Sequence, residues 1–201
     1  MKQSRHPIVN LKKNECIAYT DRELVEKSIQ DTSFFACLYQ RYENKLLRYI
    51  HHISNVSEEE ALDILQESFI KIWKNLNDFD TDLSFSSWVY RIVHHQTISD
   101  WRKSVSYGKN KTVDFETHLM HTSNEEYTSL VDEKEKKVLL LINQLPENYK
   151  AVLVLKYFEE KNYEEISDIL KIPEGTVATY LNRAKKSFEA LAQKQQITFF
   201  D

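Results

Sequence analysis

A chain of 201 residues with only two glycines and three prolines has few places to turn sharply. Sheets are punctuated by Gly, Pro, Asn and Asp at each hairpin, so this scarcity predicts an all-α fold, supported by plentiful Leu, Lys, Glu, Gln and Ala. No apolar run approaches the ~20 residues of a membrane span. The N-terminal stretch "MKQSRHPIVNLKKNECIAYTD" lacks the apolar block of a signal peptide, so the chain is expected to stay in the cytoplasm, without membrane insertion. Cys16 and Cys37 stand far apart in no metal-ligand spacing and read as two reduced structural thiols.

Helical periodicity lapses once. "SVSYGKNKTVDFETHLMHTSNEEYTSL" is rich in Ser, Thr, Asn and charge, and shows no sustained apolar stripe. So long an irregular stretch is uncommon inside one compact domain. The sequence therefore predicts two small helical domains, 20–103 and 132–192, on a flexible linker at 104–131, with an extension at 1–19 and a tail at 193–201. Thr20 with Glu23, and Ser57 with Glu60, have capping-box spacing and each opens a helix. "SFFACLYQRYENKLLRYIHHI" carries Phe34, Phe35, Leu38, Tyr42, Leu46 and Ile50 at helical intervals. The next helix, "EEEALDILQESFIKIWKNL", places Leu62, Leu65, Phe69, Ile72, Trp73 and Leu76 on its apolar stripe. In "SFSSWVYRIVHHQTISDWRK", Trp88, Ile92 and Ile98 are expected to face inward.

In the second domain, Pro146 suits the first turn of "PENYKAVLVLKYF". The short "YEEISDIL", a break at "KI" and the long "PEGTVATYLNRAKKSFEAL" then form a helix-turn-helix pattern. On the closing helix Val177, Leu181, Ala184, Phe188 and Leu191 make one stripe. Gly175, Thr176, Thr179, Asn182, Arg183 and Lys186 lie on or beside the opposite face. Small residues permit close approach of the backbone, hydroxyls and terminal N–H groups hold phosphate, and Asn and Arg read base edges. The formal net charge is −4, yet Arg183, Lys185 and Lys186 have no acid among them over 178–188. Nucleic-acid binding needs locally dense positive charge, and a basic chain is not required.

"LPENYKAVLVLKYFEEKNYEEISDILKIPEGTVATYLNRAKKSFEAL" resembles the region-four domain of bacterial sigma factors. "DILQESFIKIWKNLNDFDTDLSFSSWVYRIVHHQTISDWRK" resembles their region two. With only these two domains, the chain is similar to the extracytoplasmic-function group. The resemblance implies a monomer when free that binds core RNA polymerase through the beta-prime and beta subunits, recognises −35 and −10 promoter DNA, and assists strand opening. It implies docking on beta-prime by Asp63, Gln66, Glu67, Ile70 and Lys74. It implies −10 contacts from Tyr90, Arg91, His94, His95, Arg102 and Lys103, and −35 contacts from the six polar-face residues of the closing helix. An anti-sigma factor, which in the family clamps both domains, is the further partner it admits. Two departures bear on promoter choice: His95 and Ser99 replace a usual Asn and a common Asp, and Ala178 and Tyr180 replace frequent basic residues.

Other classes fit less well. The pairs His51–His52 and His94–His95 suggest metal, but adjacent helical side chains point about 100° apart and nothing completes a tetrahedral set. With no phosphate-binding loop and no nucleophile–base pairing, neither a cofactor nor an enzymatic activity is expected, and the chemistry is left to the polymerase. A conventional helix-turn-helix regulator with a helical dimerisation or sensing domain is the alternative reading. It would bind its operator as a free dimer on a palindrome.

Overall fold

Side-chain caps fix where the helices begin. The computed structural model describes residues 16–54, 56–106 and 133–197, so the predicted linker lies almost wholly outside the described residues. The Glu23 carboxylate accepts the Thr20 N–H at 2.7 Å, while Thr20 Oγ1 accepts the Glu23 N–H, and α1 (Asp21–Gln30) follows. A 3-10 turn (Thr32–Phe34) leads into α2 (Phe35–Ile53). The same reciprocal cap at Ser57 and Glu60 starts α3 (Glu58–Lys74), and α4 (Phe85–Ser106) completes the N-terminal half.

The C-terminal half comprises α5 (Glu133–Ile142), α6 (Glu147–Tyr157), α7 (Tyr163–Leu170) and α8 (Glu174–Lys194). Pro146 and Pro173 sit at the N-caps of α6 and α8, one residue ahead of the first turn. A further capping box, Asn162 with Glu165, opens α7 inside a stretch that reads from sequence only as a polar break. Lys171, at φ 54°, ends α7 in the left-handed conformation. It provides the sharp turn between the two helices of the helix-turn-helix, a place where glycine is the commoner choice.

Leu24, Leu46, Ile50, Leu65, Ile72 and Val93 fill the centre of the N-terminal half, and Leu141, Val152, Leu155, Ile166, Val177 and Leu181 that of the other. All of these but Leu141 belong to one continuous apolar cluster, because α2 packs on α6 and α4 lies along α7. Two sequence expectations shift on α3. Leu62 and Trp73 are 47% and 38% exposed, while Ala61, Ile64 and Ser68 turn inward in their place. The inward arc is centred on Ile64, Phe69 and Ile72, and small Ala61 and Ser68 lie where helices approach closely.

Cys16 and Cys37 are joined in a disulfide, their Cα atoms 5.2 Å apart, which corrects the expectation of two thiols. The pairing depends on a fold-back that spacing does not reveal. Arg41 Nη2 donates to the Cys16 and Tyr19 carbonyls at 2.8 and 2.7 Å, and its Nη1 meets Asp21 at 2.6 Å, which brings the turn before α1 over the start of α2. A cross-link across 21 residues stabilises by about 3 kcal/mol on chain-entropy grounds. Thermal melts with and without dithiothreitol should therefore differ by roughly 6–12 °C, the reduced protein melting lower. A difference under a degree would show that the bond contributes little to the fold.

Candidate polymerase and nucleic-acid interfaces

The outer face of α3 is built from the residues its core-facing arc leaves over. Asp63, Gln66, Glu67, Ile70 and Lys74 are all exposed, and Leu62 and Trp73 join Ile70 as apolar groups among them. Exposed apolar side chains bordered by carboxylates and an amide are what a protein-docking surface requires. Helical periodicity alone places Leu62 and Trp73 on the core-facing stripe of α3. An apolar residue at the edge of a helical stripe has the same periodicity whether it faces the core or the outside, so the pattern does not distinguish the two. Buried Gln96 of α4 supports the face from beneath, donating to Glu67 and Asp100 and accepting from Lys71.

Along α4 the candidates separate into two groups. His95, Arg102 and Lys103 are exposed on its C-terminal half, with Ser99 and Trp101 beside them. Tyr90 is 2% exposed and packs against Tyr49 with ring centroids 5.2 Å apart. Its hydroxyl donates to Glu159 at 2.5 Å, and burial with that carboxylate pushes its pKa up. His94 is also buried, its Nδ1 2.9 Å from the Tyr49 hydroxyl. Burial, followed by the positive surroundings of His95 and Arg102, lowers its pKa to about 4, so the ring is neutral and brings no charge toward a phosphate. Arg91 Nε donates to the Asp168 carbonyl at 2.9 Å, and its guanidinium also pairs with the Asp168 carboxylate. Trp88 is half-buried against Phe79 and Phe85, with centroids at 4.8 and 5.7 Å.

On α8 Val177, Leu181 and Ala184 of the apolar stripe are buried and Phe188 and Leu191 half-buried, while Gly175, Thr179, Asn182, Arg183 and Lys186 are exposed together, with Thr176 half-buried at the edge. Tyr180, which stands where a basic residue is frequent, packs edge-on to Tyr149 at 5.9 Å and so serves the fold. Lys185 Nζ lies 5.5 Å from the Tyr157 ring centre. A Cβ built at Gly175 would meet nothing within 4 Å. The fold itself therefore does not need glycine there, and Gly175→Ala should melt at the same temperature or slightly higher, since alanine is the better helix former by about 1 kcal/mol. On the −35 reading of this helix, promoter binding should fall, because the added methyl would stand between the helix terminus and the DNA backbone. Unchanged binding would show that the helix terminus does not approach DNA closely.

This geometry, an exposed face of mixed apolar and charged residues on α3 and a helix-turn-helix in the C-terminal half, can be set beside known proteins. The family models described as Sigma-70 region 2 and Sigma-70, region 4 match residues 38–107 and 135–188. The ECF RNA polymerase sigma-E factor of Haemophilus influenzae is 32% identical over 179 residues, covering 85% of this chain and 94% of that protein. The chain belongs to the extracytoplasmic-function group of RNA polymerase sigma factors. The sigma factor SigW of Bacillus subtilis is a second relative, 34% identical over 172 residues, covering 81% of this sigma factor and 90% of its own length. Among solved structures, CnrH in complex with the cytosolic domain of CnrY superimposes with TM-score 0.66 at 20% identity, covering 87% and 97% of the two chains. The sigma factor RpoE of Bartonella quintana, in complex with the anti-sigma factor NepR, gives 0.64 at 18% identity, covering 79% and 96%. At those identities the likeness establishes the fold. No helix among the described residues of this sigma factor is long and apolar enough to cross a membrane, and none of their His, Cys, Asp and Glu side chains gather in threes as a metal set.

Proposed function

We propose that this sigma factor divides its work among the three helical surfaces. The α3 face, with Asp63, Gln66, Glu67, Ile70 and Lys74 joined by Leu62 and Trp73, docks on core RNA polymerase in the cytoplasm. Gly175, Thr176, Thr179, Asn182, Arg183 and Lys186 of α8 engage the −35 element. The α4 helix takes the −10 element, with His95, Arg102 and Lys103 meeting the strand first and Tyr90, Arg91 and His94 available once they are uncovered. Residues 20–103 and 132–192 act as separate functional units, joined through 104–131.

The observation that best supports this reading is the exposure of the α3 face as a mixed apolar and acidic patch while its opposite side is fully buried. A patch of that composition suits a partner surface bearing arginines, since Arg pairs carboxylates bidentately and packs its stem on apolar groups. One structural neighbour is a sigma factor in complex with an anti-sigma factor, and an inhibitor of that class is a fitting partner here. The deciding experiment is reconstitution with core polymerase on a library of promoters. Promoter-specific transcripts that require this chain support the reading. Tight operator binding by the free chain as a dimer, with no gain in transcription, would replace it with a conventional regulator.

A further inference from the structure

A disulfide is out of place in the compartment where the proposed function puts this chain. Cytoplasmic reductants keep thiols reduced, and the disulfides that do form there are usually transient, catalytic or redox-sensing. The Cys16–Cys37 bond joins two unlike segments. Cys16 lies in the short turn ahead of α1, at the start of the described residues. Cys37 is the third residue of α2 and belongs to the core, 1% exposed against 7% for Cys16.

Two features of the surroundings favour thiolate over thiol. The first turn of α2 has no side-chain cap and carries no acid, so the positive end of the helix dipole acts on Cys37. Arg41, one turn further along α2, donates to the Cys16 carbonyl at 2.8 Å and holds a fixed positive charge there, which Asp21 shares at 2.6 Å. Arg41 also ties the turn down through the Tyr19 carbonyl, and the Tyr19 ring stands edge-on to Phe34 at 6.0 Å. Without the cross-link that short turn can lift and admit a small oxidant to Cys37. The other side of the same stretch of α2 faces α3. Phe35 meets Trp73 with centroids 4.9 Å apart, and Tyr39 meets Phe69 at 4.5 Å. Trp73 is one of the apolar groups on the outer face of α3.

We propose that Cys16 and Cys37 form an oxidation site for hydroperoxides, and that its disulfide state fixes the α3 face for polymerase. The second part rests on the reading of that face as the docking surface. With hydrogen peroxide, the Cys37 thiolate attacks one oxygen and the O–O bond breaks. Sulfur is oxidised to sulfenic acid, while the other oxygen leaves as hydroxide and takes up a proton. The Cys16 thiolate then attacks the sulfenic sulfur, the S–S bond forms, and the sulfenic oxygen leaves with a proton as water. Two thiols and one peroxide thus give one disulfide and two waters. Exchange with a dithiol reductant restores the thiols. Oxidation clamps the turn onto α2 and holds Phe35 against Trp73; reduction releases the turn and loosens the face.

The test uses the full chain, reduced with dithiothreitol, freed of it and exposed to an equimolar amount of hydrogen peroxide. Mass spectrometry should show both thiols lost together as an intramolecular disulfide that dithiothreitol reopens. Cys16→Ser should instead accumulate a sulfenic acid on Cys37 that dimedone traps, and Cys16→Ala takes its place should that variant fold poorly. Thiols that persist in peroxide, or wild-type Cys37 passing to sulfinic acid in place of the bond, would overturn the proposal. After removal of peroxide, the oxidised chain should bind core polymerase about fivefold more tightly than the reduced one, less than the worth of one interface hot spot. Cys16→Ser/Cys37→Ser should bind like the reduced chain whether or not it has met peroxide. Equal polymerase affinity of the oxidised and reduced chains would overturn the switch. If the disulfide forms and reopens while neither form binds polymerase, the docking reading of α3 falls and the oxidation site stands.

Discussion

Asp63→Arg combined with Ile70→Arg should lower affinity for core polymerase by at least ~30-fold, the loss of one or two interface hot spots. Both side chains are exposed on the outer face of α3, and Ile70 is 47% so. Neither takes part in the core, so helicity should be unchanged and the melting temperature should move by no more than about a degree, as surface substitutions usually do. Glu67 is a poorer choice for this experiment because it accepts from buried Gln96, and its replacement would disturb the α3–α4 packing as well as the face. Co-purification with polymerase and a direct titration read the effect. Undiminished binding by a folded variant would remove the docking role from this face.

The second large effect is expected on α8. Arg183→Ala should cost about 1–3 kcal/mol on the preferred −35 element, roughly 5- to 150-fold, and much less on a scrambled one, because a guanidinium can read a guanine edge with two parallel hydrogen bonds. Lys186 lies a turn further from the helix N-terminus on the same exposed face. Lys186→Ala should weaken binding alike on every sequence and flatten its salt dependence, the behaviour of a phosphate contact. Holoenzyme binding to matched and scrambled elements at several salt concentrations separates the two. Equal losses for Arg183→Ala on both sequences would make it a backbone contact.

Single-letter patterns carried further for the helices than for what they touch. Capping boxes at Thr20 and Ser57 were legible because they need only four residues and one hydrogen-bonding geometry. Asn162 followed the same rule, and its Glu165 partner was present in the sequence, but the preceding acidic and basic residues obscured it. The polar face of α8 was legible because exposure and periodicity agree there. On α4 they do not agree. Tyr90, Arg91 and His94 have the residue types of a nucleic-acid surface, yet each is engaged by a neighbour, two of them by acids 69 and 77 positions away. No local pattern encodes such a pairing.

Local residue patterns set the helical class, the lapse of periodicity between two helical segments, the helix-turn-helix and the segregation of polar from apolar residues on α8. These follow from short-range physics: backbone propensity, caps and a period of 3.6 residues. It is the packing of helix on helix that turns Leu62 and Trp73 outward, brings Cys16 to Cys37, and buries Glu159 against Arg48 and Tyr90. Each of those depends on which helix lies opposite. That is settled by the burial of whole apolar faces against one another, a sum over the chain that no stretch of it contains.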